Sequence, residues 1–262
     1  MNFFQSRRAR EHREDGEAVY VSEKFGVRTL HIGSDTVQSS MRLARPNDLE
    51  ISYTRSMMAF LLFNPDPREV LMVGLGGGSL AKFIYHRLPR TRVVAVEVNP
   101  RVVAVARGFF HVPQDDARLA LVVGDGAVYM GSDKLAADVI LVDGYDAESQ
   151  VEALSTPAFY RDCARVLGDA GILVVNLWGG DRNFTTCVDR IATAFDHRIA
   201  RLPAGKPGNI VVLAFKRQPG QRDRDDLRGR AQALEAAHGL EFTRFVHELA
   251  AMNPHDRERL LL

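Results

Sequence analysis

The chain has few cysteines, almost no net charge and no cluster of metal-binding side chains. Only two of its 262 residues are cysteine, Cys163 and Cys187, and no Cys-x-x-Cys pair occurs. This excludes a disulfide scaffold and argues against a structural zinc site. The histidines are scattered without ligand spacing, so we predict no metal. Lys+Arg number 34 and Asp+Glu 33, a formal net charge of +1, which excludes a whole-surface basic field for nucleic acid.

Long apolar runs are also lacking. None approaches the roughly 18 residues of a membrane span. The first five residues, Met1 to Gln5, are too short an apolar patch for a secretion signal, and charged residues follow at once. The remaining composition, 46% hydrophobic and 26% charged, is that of an ordinary globular protein. We therefore expect a soluble, cytoplasmic protein with neither a membrane nor a nucleic acid as partner.

The first quarter of the chain combines short β-rich segments with one helical segment. The β-rich segments predict a hairpin and a third short strand, and the last segment predicts a helix: Ala18–Glu23, Val27–Ile32, Thr36–Met41 and Asn47–Phe63. Asn64-Pro65-Asp66-Pro67 then breaks the chain. We predict a domain boundary here, with an N-terminal β region and linking helix over residues 1–64 and a second domain over 65–262.

The second domain alternates apolar strands with helical segments. Five strands are predicted at Val70–Val73, Arg92–Val96, Leu119–Val123, Val139–Val142 and Ile172–Asn176. Helices are predicted between and after them, at Ser79–Arg87, Pro100–Phe110, Gly126–Met130, Thr156–Val166 and Phe184–Phe195. Short runs rich in Val and Ile, separated by helices, indicate a parallel sheet covered on both faces.

The end of the second domain follows a different pattern. Arg198–Leu202 and Ile210–Phe215 are joined by a turn-rich loop without a helix, so this last pair should be antiparallel. The fold class predicted is α/β: a Rossmann-like, seven-stranded, doubly wound sheet whose last strand is antiparallel, preceded by a small N-terminal β-hairpin region. Two terminal helices follow, at Arg222–Ala237 and Glu241–Met252.

A glycine-rich turn follows the first strand of this sheet. Gly74, Gly76 and Gly78 have the spacing Gly-x-Gly-x-Gly, and a helix begins directly after them. Glycines allow a sharp turn and close approach of a ligand, and the helix N-terminus offers free N–H groups. Ser79 occupies the third slot of a nicotinamide-type fingerprint, so that fingerprint does not fit. A purely structural glycine turn remains an alternative.

Acidic residues end the next three strands. Glu97 follows the second strand, 21 residues after Gly76, where a carboxylate can accept hydrogen bonds from ribose hydroxyls. Asp125, followed by Gly126, ends the third strand and could accept an adenine amine. The carboxyl ends of the strands form the ligand crevice of open α/β sheets. Together these residues predict a nucleoside-type ligand.

Two further carboxylates, Asp143 and Asp146, follow the fourth strand in the same crevice. Their position would place them near the reactive end of a bound nucleoside. The alternative is that one of them caps a following turn or helix.

The order and spacing of these segments resemble the spermidine synthase (polyamine aminopropyltransferase) family, a branch of the Rossmann-like S-adenosylmethionine-dependent transferases. The resemblance extends from about Val19 to Phe215. It is carried by Val70–Gly78, Val96–Asn99, Val123–Gly126 and Asp138–Asp146, then Leu154 and Phe159–Tyr160. It implies transfer of an aminopropyl group from decarboxylated S-adenosylmethionine, a co-substrate rather than a tightly bound cofactor, to an amine such as putrescine. It also implies a homodimer.

The resemblance also implies roles for individual residues. Glu97 would hold the ribose, and Asp125 with Gly126 the adenine, beside the glycine turn. Asp143 would be the general base, while Asp146, Tyr53 and Glu17 would bind the substrate amine.

The chain departs from the family pattern on the acceptor side. Gly77 occupies the position of an acid in the family's glycine loop, Arg55 follows Tyr53 where the family has Glu, and Ala147 replaces a proline. Arg55 would repel a cationic acceptor if it faced the pocket. Two alternatives therefore stay open: an S-adenosylmethionine-dependent methyltransferase, and a catalytically altered nucleoside-binding homologue.

Overall fold

The computed structural model describes residues 18–133, 135–144, 151–205, 208–219, 222–255 and 259–260. The chain begins with a three-stranded antiparallel sheet in the order β1-β2-β3. Its strands are Val19–Lys24, Val27–Ile32 and Val37–Arg42. Phe25 and Gly26, which join the first two strands, both have positive φ, 51° and 72°. That backbone matches the twist of a two-residue hairpin, so the predicted hairpin is confirmed, with the third strand added.

The linking helix is shorter than predicted. Sequence spacing predicts a helix from residue 47, whereas α1 spans Ser52–Met57 and continues as a 3₁₀ turn over Met58–Leu62. The guanidinium of Arg55 donates to the carbonyl oxygens of Leu49 and Glu50, and the Glu50 carboxylate is held by Arg42. A helix beginning at residue 47 would use the carbonyl oxygens of Leu49 and Glu50 for its own hydrogen bonds. Because Arg55 occupies these oxygens, residues 47–51 stay in turns.

A seven-stranded sheet follows, in the order β6-β5-β4-β7-β8-β10-β9. Its strands are β4 Glu69–Val73, β5 Arg92–Glu97, β6 Leu119–Val123, β7 Ala137–Val142, β8 Leu167–Trp178, β9 Ile199–Pro203 and β10 Asn209–Phe215. Strands β4 to β8 pair in parallel. Strand β10, the last strand of this sheet along the chain, is antiparallel to both β8 and β9. The predicted fold class is therefore confirmed.

Helices cover both faces of this sheet. They are α2 Ser79–Arg87, α3 Pro100–Phe109, α4 Gly126–Met130, α5 Pro157–Val166, α6 Phe184–Ala194, α7 Arg224–His238 and α8 Phe242–Met252. Two large apolar clusters separate the layers. One joins the sheet to α1, α2, α7 and α8, and the other joins it to α4, α5 and α6. In the described part of the chain, no helix is both long and apolar enough to cross a membrane.

Two features of the C-terminal half differ from the prediction. Strand β8 begins at Leu167, five residues before the predicted start, because Leu167 already pairs with Ala137 of β7. An irregularity in register follows before the pairing resumes at Val139 and Ile172. Residues Arg222–Asp223, predicted as helix, form β11 and pair with β12 at Arg259–Leu260. A two-residue strand has no periodicity, so the sequence carries no signal for this pair.

The linking segment belongs to the main core. Residues Met57–Phe63 pack in the same apolar cluster as strands β4, β5, β7, β8 and β10. A smaller cluster of Leu30, Met41, Val102 and Phe110 joins the N-terminal sheet to α3. The division at residues 64 and 65 stays a prediction.

Candidate active site

The glycine turn lies against the end of strand β7. Gly74, Gly76 and Gly78 have positive φ values of 93°, 53° and 68°. A Cβ on Gly74 would lie 2.2 Å from the carbonyl oxygen of Asp143, and one on Gly78 would lie 2.3 Å from Cγ2 of Val112. Packing alone therefore requires glycine at these two positions, which supports the structural reading of the turn. The same packing places the turn directly beside Asp143.

Gly77 is enclosed by the N-terminal sheet. A Cβ at this position would lie 2.7 Å from Oγ of Ser39 and 2.8 Å from Cδ1 of Phe110. Ser39 is buried in β3, and its Oγ is 3.4 Å from that of Ser79. The loop acid of the related family does not fit here unless β3 or Phe110 moves. The absence of an acid at residue 77 therefore follows from how this chain packs.

Glu97 joins the end of β5 to the glycine turn. Its Oε2 accepts from the N–H of Leu75 at 3.0 Å, and its Oε1 accepts from the N–H of Asn99 at 3.0 Å. The residue is half-buried. Since each carboxylate oxygen has two lone pairs, both oxygens can accept one further bond, as from two ribose hydroxyls.

Asp125 has a structural role that was not predicted from the sequence. Its Oδ1 accepts from the backbone N–H groups of Ala127 at 2.7 Å and Val128 at 3.0 Å, so Asp125 is the N-cap of α4. The adjacent Gly126 is buried, and a Cβ there would lie 2.4 Å from Cγ1 of Val73. Both cap bonds use Oδ1, so the cap itself does not occupy Oδ2.

Asp143 is held by two side chains from different elements. Its Oδ2 accepts from the hydroxyl of Tyr53 on α1 at 2.9 Å, and its Oδ1 accepts from Nδ2 of Asn176 on β8 at 2.9 Å. Burial raises the pKa of Asp143 above its ordinary value, while the bonds from Asn176 and Tyr53 oppose the rise. A half-buried carboxylate with a raised pKa at a strand end has the properties of a general base.

The two asparagines behind Asp143 were not predicted from the sequence. Asn176 is 3% exposed and passes the contact on, because its Oδ1 accepts from Nδ2 of Asn209 at 3.0 Å. The available signal was an amide side chain directly after the apolar run Ile172–Val175, at the end of a strand. Buried polar groups of this kind need partners, so their position indicates a network.

Arg55 does not oppose an acceptor at Asp143. It lies two residues after Tyr53, which puts the two side chains on different sides of α1. Its guanidinium forms an ion pair with Glu241 of the segment before α8, at 3.2 Å. It lines a separate cavity of about 360 Å³ between the linking segment and the α7–α8 turn. The positive charge of Arg55, which would repel a cationic acceptor if it faced the pocket, is therefore paired with Glu241 instead.

Two of the predicted acceptor-binding residues, Glu17 and Asp146, lie outside the described residues, as does Ala147. The structure thus brings together Tyr53, Asp143 and the glycine turn, with Glu97 and Asp125 at the ends of the neighbouring strands β5 and β6.

The fold and these residues define a class: a Rossmann-like transferase with acidic residues along the carboxyl ends of its parallel strands. Comparison with known proteins narrows the class. The spermine/spermidine synthase domain family matches residues 50–178. A polyamine aminopropyltransferase of Chromobacterium violaceum is 44% identical over 256 residues, 98% of each chain. Another, of Neisseria meningitidis, is 42% identical over 251 residues, 95% of each chain.

A structural comparison agrees with the fold. Spermidine synthase in complex with the transition state analogue AdoDATO superposes with a TM-score of 0.70 at 21% identity, covering 94% of this chain and 89% of that one. The chain belongs to the spermine/spermidine synthase family.

Proposed function

We propose that this protein transfers an aminopropyl group from decarboxylated S-adenosylmethionine to a small amine such as putrescine. Polyamine aminopropyltransferases that match nearly the whole chain support this transferase activity. The observation that carries the mechanism is the placement of Asp143: it is bonded to Tyr53 and Asn176, and its backbone lies against Gly74.

The donor would bind across the carboxyl ends of β4, β5 and β6. The glycine turn formed by Gly74, Gly76 and Gly78 would let its sulfonium end approach the main chain. Glu97 would accept bonds from both ribose hydroxyls, and Oδ2 of Asp125, beside Gly126, would accept one from the adenine amine. Exposed valines at two of these strand ends, Val98 and Val123, and Val128 in α4 offer apolar surface for a purine ring.

The acceptor amine must lose a proton to become a nucleophile. An alkylamine has a pKa of about 10.4 and is protonated at neutral pH. Asp143, ionised and held by Tyr53, would orient the amine and accept its proton as attack begins. The new N–C bond forms as the C–S bond breaks, and its electron pair returns to sulfur, leaving neutral methylthioadenosine. Since this thioether leaves without acid catalysis, the protein contributes mainly by positioning the two substrates.

The acceptor would lie between the N-terminal part of the chain and the strand ends of the second domain. The division into residues 1–64 and 65–262 would put Tyr53 and Glu17 on one side and Asp143 and Asp146 on the other. Because Gly77 supplies no carboxylate, these acids would carry the electrostatic recognition of the cationic substrates. We also propose that the protein is a cytoplasmic homodimer, in line with its family and its lack of a long apolar segment.

Calorimetry with three nucleosides tests the donor. We expect methylthioadenosine and decarboxylated S-adenosylmethionine to bind, and aminopropyl transfer to appear only with the decarboxylated donor and an amine. Methyl transfer from intact S-adenosylmethionine would support the methyltransferase reading, and binding without any turnover would support the nucleoside-binding one. If none of the three binds, every one of these functions is refuted.

The variant Asp143→Asn tests the base. It should abolish turnover with little change in donor affinity, because the amide keeps the size of the carboxylate and cannot accept the proton. The exposed residue Asp133 provides a control for the same chemical change. Unchanged activity in Asp143→Asn would remove this residue from the mechanism.

A further inference from the structure

Three polar side chains meet on one face of the sheet. Side chains alternate between the two faces of a strand. Asn176 follows Ile172 and Val174 at spacings of two, and Asn209 precedes Val211 and Leu213 in the same way; these apolar residues pack against the α1 face of the sheet. Asp143 shares this face, since it bonds Tyr53 of α1. Because β7, β8 and β10 are adjacent, a chain of bonds runs from Asn209 through Asn176 to Asp143.

The ionised carboxylate of Asp143 determines which group donates and which accepts in each bond of this chain. A carboxylate only accepts, so Asn176 must present its NH₂ group to Asp143. The carbonyl of Asn176 then points away and accepts from the NH₂ group of Asn209. If the amide of Asn176 turned over, its carbonyl oxygen would face the carboxylate, and its NH₂ group would face the NH₂ group of Asn209. Asn209 therefore opposes this rotation.

The backbone of Asn209 is itself fixed. Its carbonyl oxygen accepts from the N–H of Ala204 at 2.8 Å, and it pairs with Trp178 at the first position of the β10–β8 ladder. The preceding carbonyl, of Gly208, accepts from the N–H of Gly179 at 2.9 Å. The side chain of Asn209 is thus attached to a rigid strand end. A residue that orients another side chain is best placed on such a rigid element.

We propose that Asn209 is a positioning residue for the transfer reaction: it locks the amide of Asn176 in the orientation that donates to the carboxylate of Asp143. Asn209 does not touch the reacting atoms in this role and acts only through Asn176. The proposal rests on the proposed function, in which Asp143 is the base.

Two substitutions of similar size separate orientation from packing. Asn209→Leu keeps the shape and removes the donor, and Asn209→Asp keeps the shape and offers only an acceptor, which favours the reversed Asn176 amide. We expect kcat at neutral pH to fall about tenfold in Asn209→Leu, a loss similar to that seen when a residue that orients a metal-binding side chain is removed. The KM for the donor should change by less than about twofold, since the loss falls on the chemical step.

The pH profile gives the readout that a packing defect would not change. The bond from Asn176 to Asp143 favours the charged form of Asp143. Its loss should move the acidic limb of kcat to higher pH by about one unit in Asn209→Leu, and further in Asn209→Asp. The neutral leucine variant excludes a direct charge effect of residue 209. Among the described residues, Tyr53 is the titratable group bonded to Asp143, and it is unchanged in both variants.

Asn183→Leu is the matched control, because Asn183 is exposed at the N-terminus of α6. It should keep the wild-type kcat and acidic limb. Asn209→Ser, which retains a donor, should recover part of the loss. Each variant is first tested for methylthioadenosine binding, and the profile is measured on those that bind like the wild type.

A wild-type acidic limb and kcat in Asn209→Leu or in Asn209→Asp overturns the proposal. The loss of methylthioadenosine binding in all three Asn209 variants also overturns it, because the role of Asn209 would then be structural. Inactivity of the wild-type protein with the decarboxylated donor would instead refute the proposed function itself.

Discussion

The buried Lys82 should make the stability of the protein depend on pH in the alkaline range. Lys82 lies in the first turn of α2 with 0% exposure. Its Nζ donates to Sδ of Met41 at 3.1 Å, to the carbonyl oxygen of Pro46 at 2.7 Å and to that of Phe110 at 2.6 Å. It thus ties β3 and the end of α3 to the helix that follows the glycine turn. None of these three acceptors carries a charge to offset the buried ammonium.

Burial lowers the pKa of Lys82 from 10.5 to about 8. Below the lower value, the lysine is charged in both the folded and the unfolded protein, and the full cost of burying the charge is present. Between the two values, the unfolded chain binds more protons, so the free energy of unfolding rises with pH. At 1.36 kcal/mol per pKa unit, the difference between these two pKa values corresponds to a rise of about 3 kcal/mol attributable to Lys82.

The variant Lys82→Met removes this contribution while keeping the length of the side chain. The free energy of unfolding in urea is measured between about pH 7 and pH 11 for both proteins, and the difference is taken at each pH so that other titrating groups cancel. We expect the wild type to gain up to about 3 kcal/mol relative to the variant across this range. Lys24→Met, at an exposed site, is the control. The difference between its free energy of unfolding and that of the wild type should not change with pH.

The reasoning is refuted if the difference between wild type and Lys82→Met stays constant from pH 7 to pH 11. That result would mean that Lys82 titrates alike in the folded and unfolded chain, so its burial among Met41, Pro46 and Phe110 would carry no electrostatic cost.

Three shorter predictions concern the site. Tyr53→Phe removes one bond to the Asp143 carboxylate, so the pKa of Asp143 should rise further and the acidic limb of kcat should move to higher pH; an unmoved limb contradicts this. Glu97→Ala should weaken methylthioadenosine binding by about 1–3 kcal/mol in calorimetry, and unchanged affinity would exclude the ribose role. Asp125→Ala should lower the free energy of unfolding by about 1 kcal/mol through loss of the α4 cap, and equal stability would show that the cap is dispensable.

The strands and helices of the second domain could be predicted closely because their patterns are local. Strand Leu119–Val123 and helices Ser79–Arg87 and Gly126–Met130 have the predicted bounds. A strand buried on both faces is a continuous apolar run, and the glycine turn and Asp125 mark where the two helices begin. The start of the linking helix could not be predicted, because it depends on where the Arg55 guanidinium finds its carbonyl partners.

The candidate site was predictable only in part. Their position at strand ends indicated Glu97, Asp125 and Asp143 as site residues. The sequence cannot distinguish an aspartate that caps the following helix from one that binds a ligand, because both stand directly before the helix. Asp125 does the first in this structure. The bond between Asn209 and Asn176 depends on β10 lying beside β8, an order of strands that differs from the order along the chain. Asn209 therefore has no signal in the sequence, although Asn176 has one.

The missing loop acid is best understood together with the N-terminal sheet. Gly77 has Ser39 on one side and Phe110 on the other, and the same Phe110 offers its carbonyl oxygen to Lys82. A carboxylate at residue 77 would need the space now filled by β3 and the end of α3, and making that space would disturb the acceptors of a buried ammonium. The absence of the acid and the burial of Lys82 are thus two consequences of one close contact. Under the proposed function, recognition of cationic substrates would then come from carboxylates outside the glycine turn, with Asp143 as the candidate among the described residues.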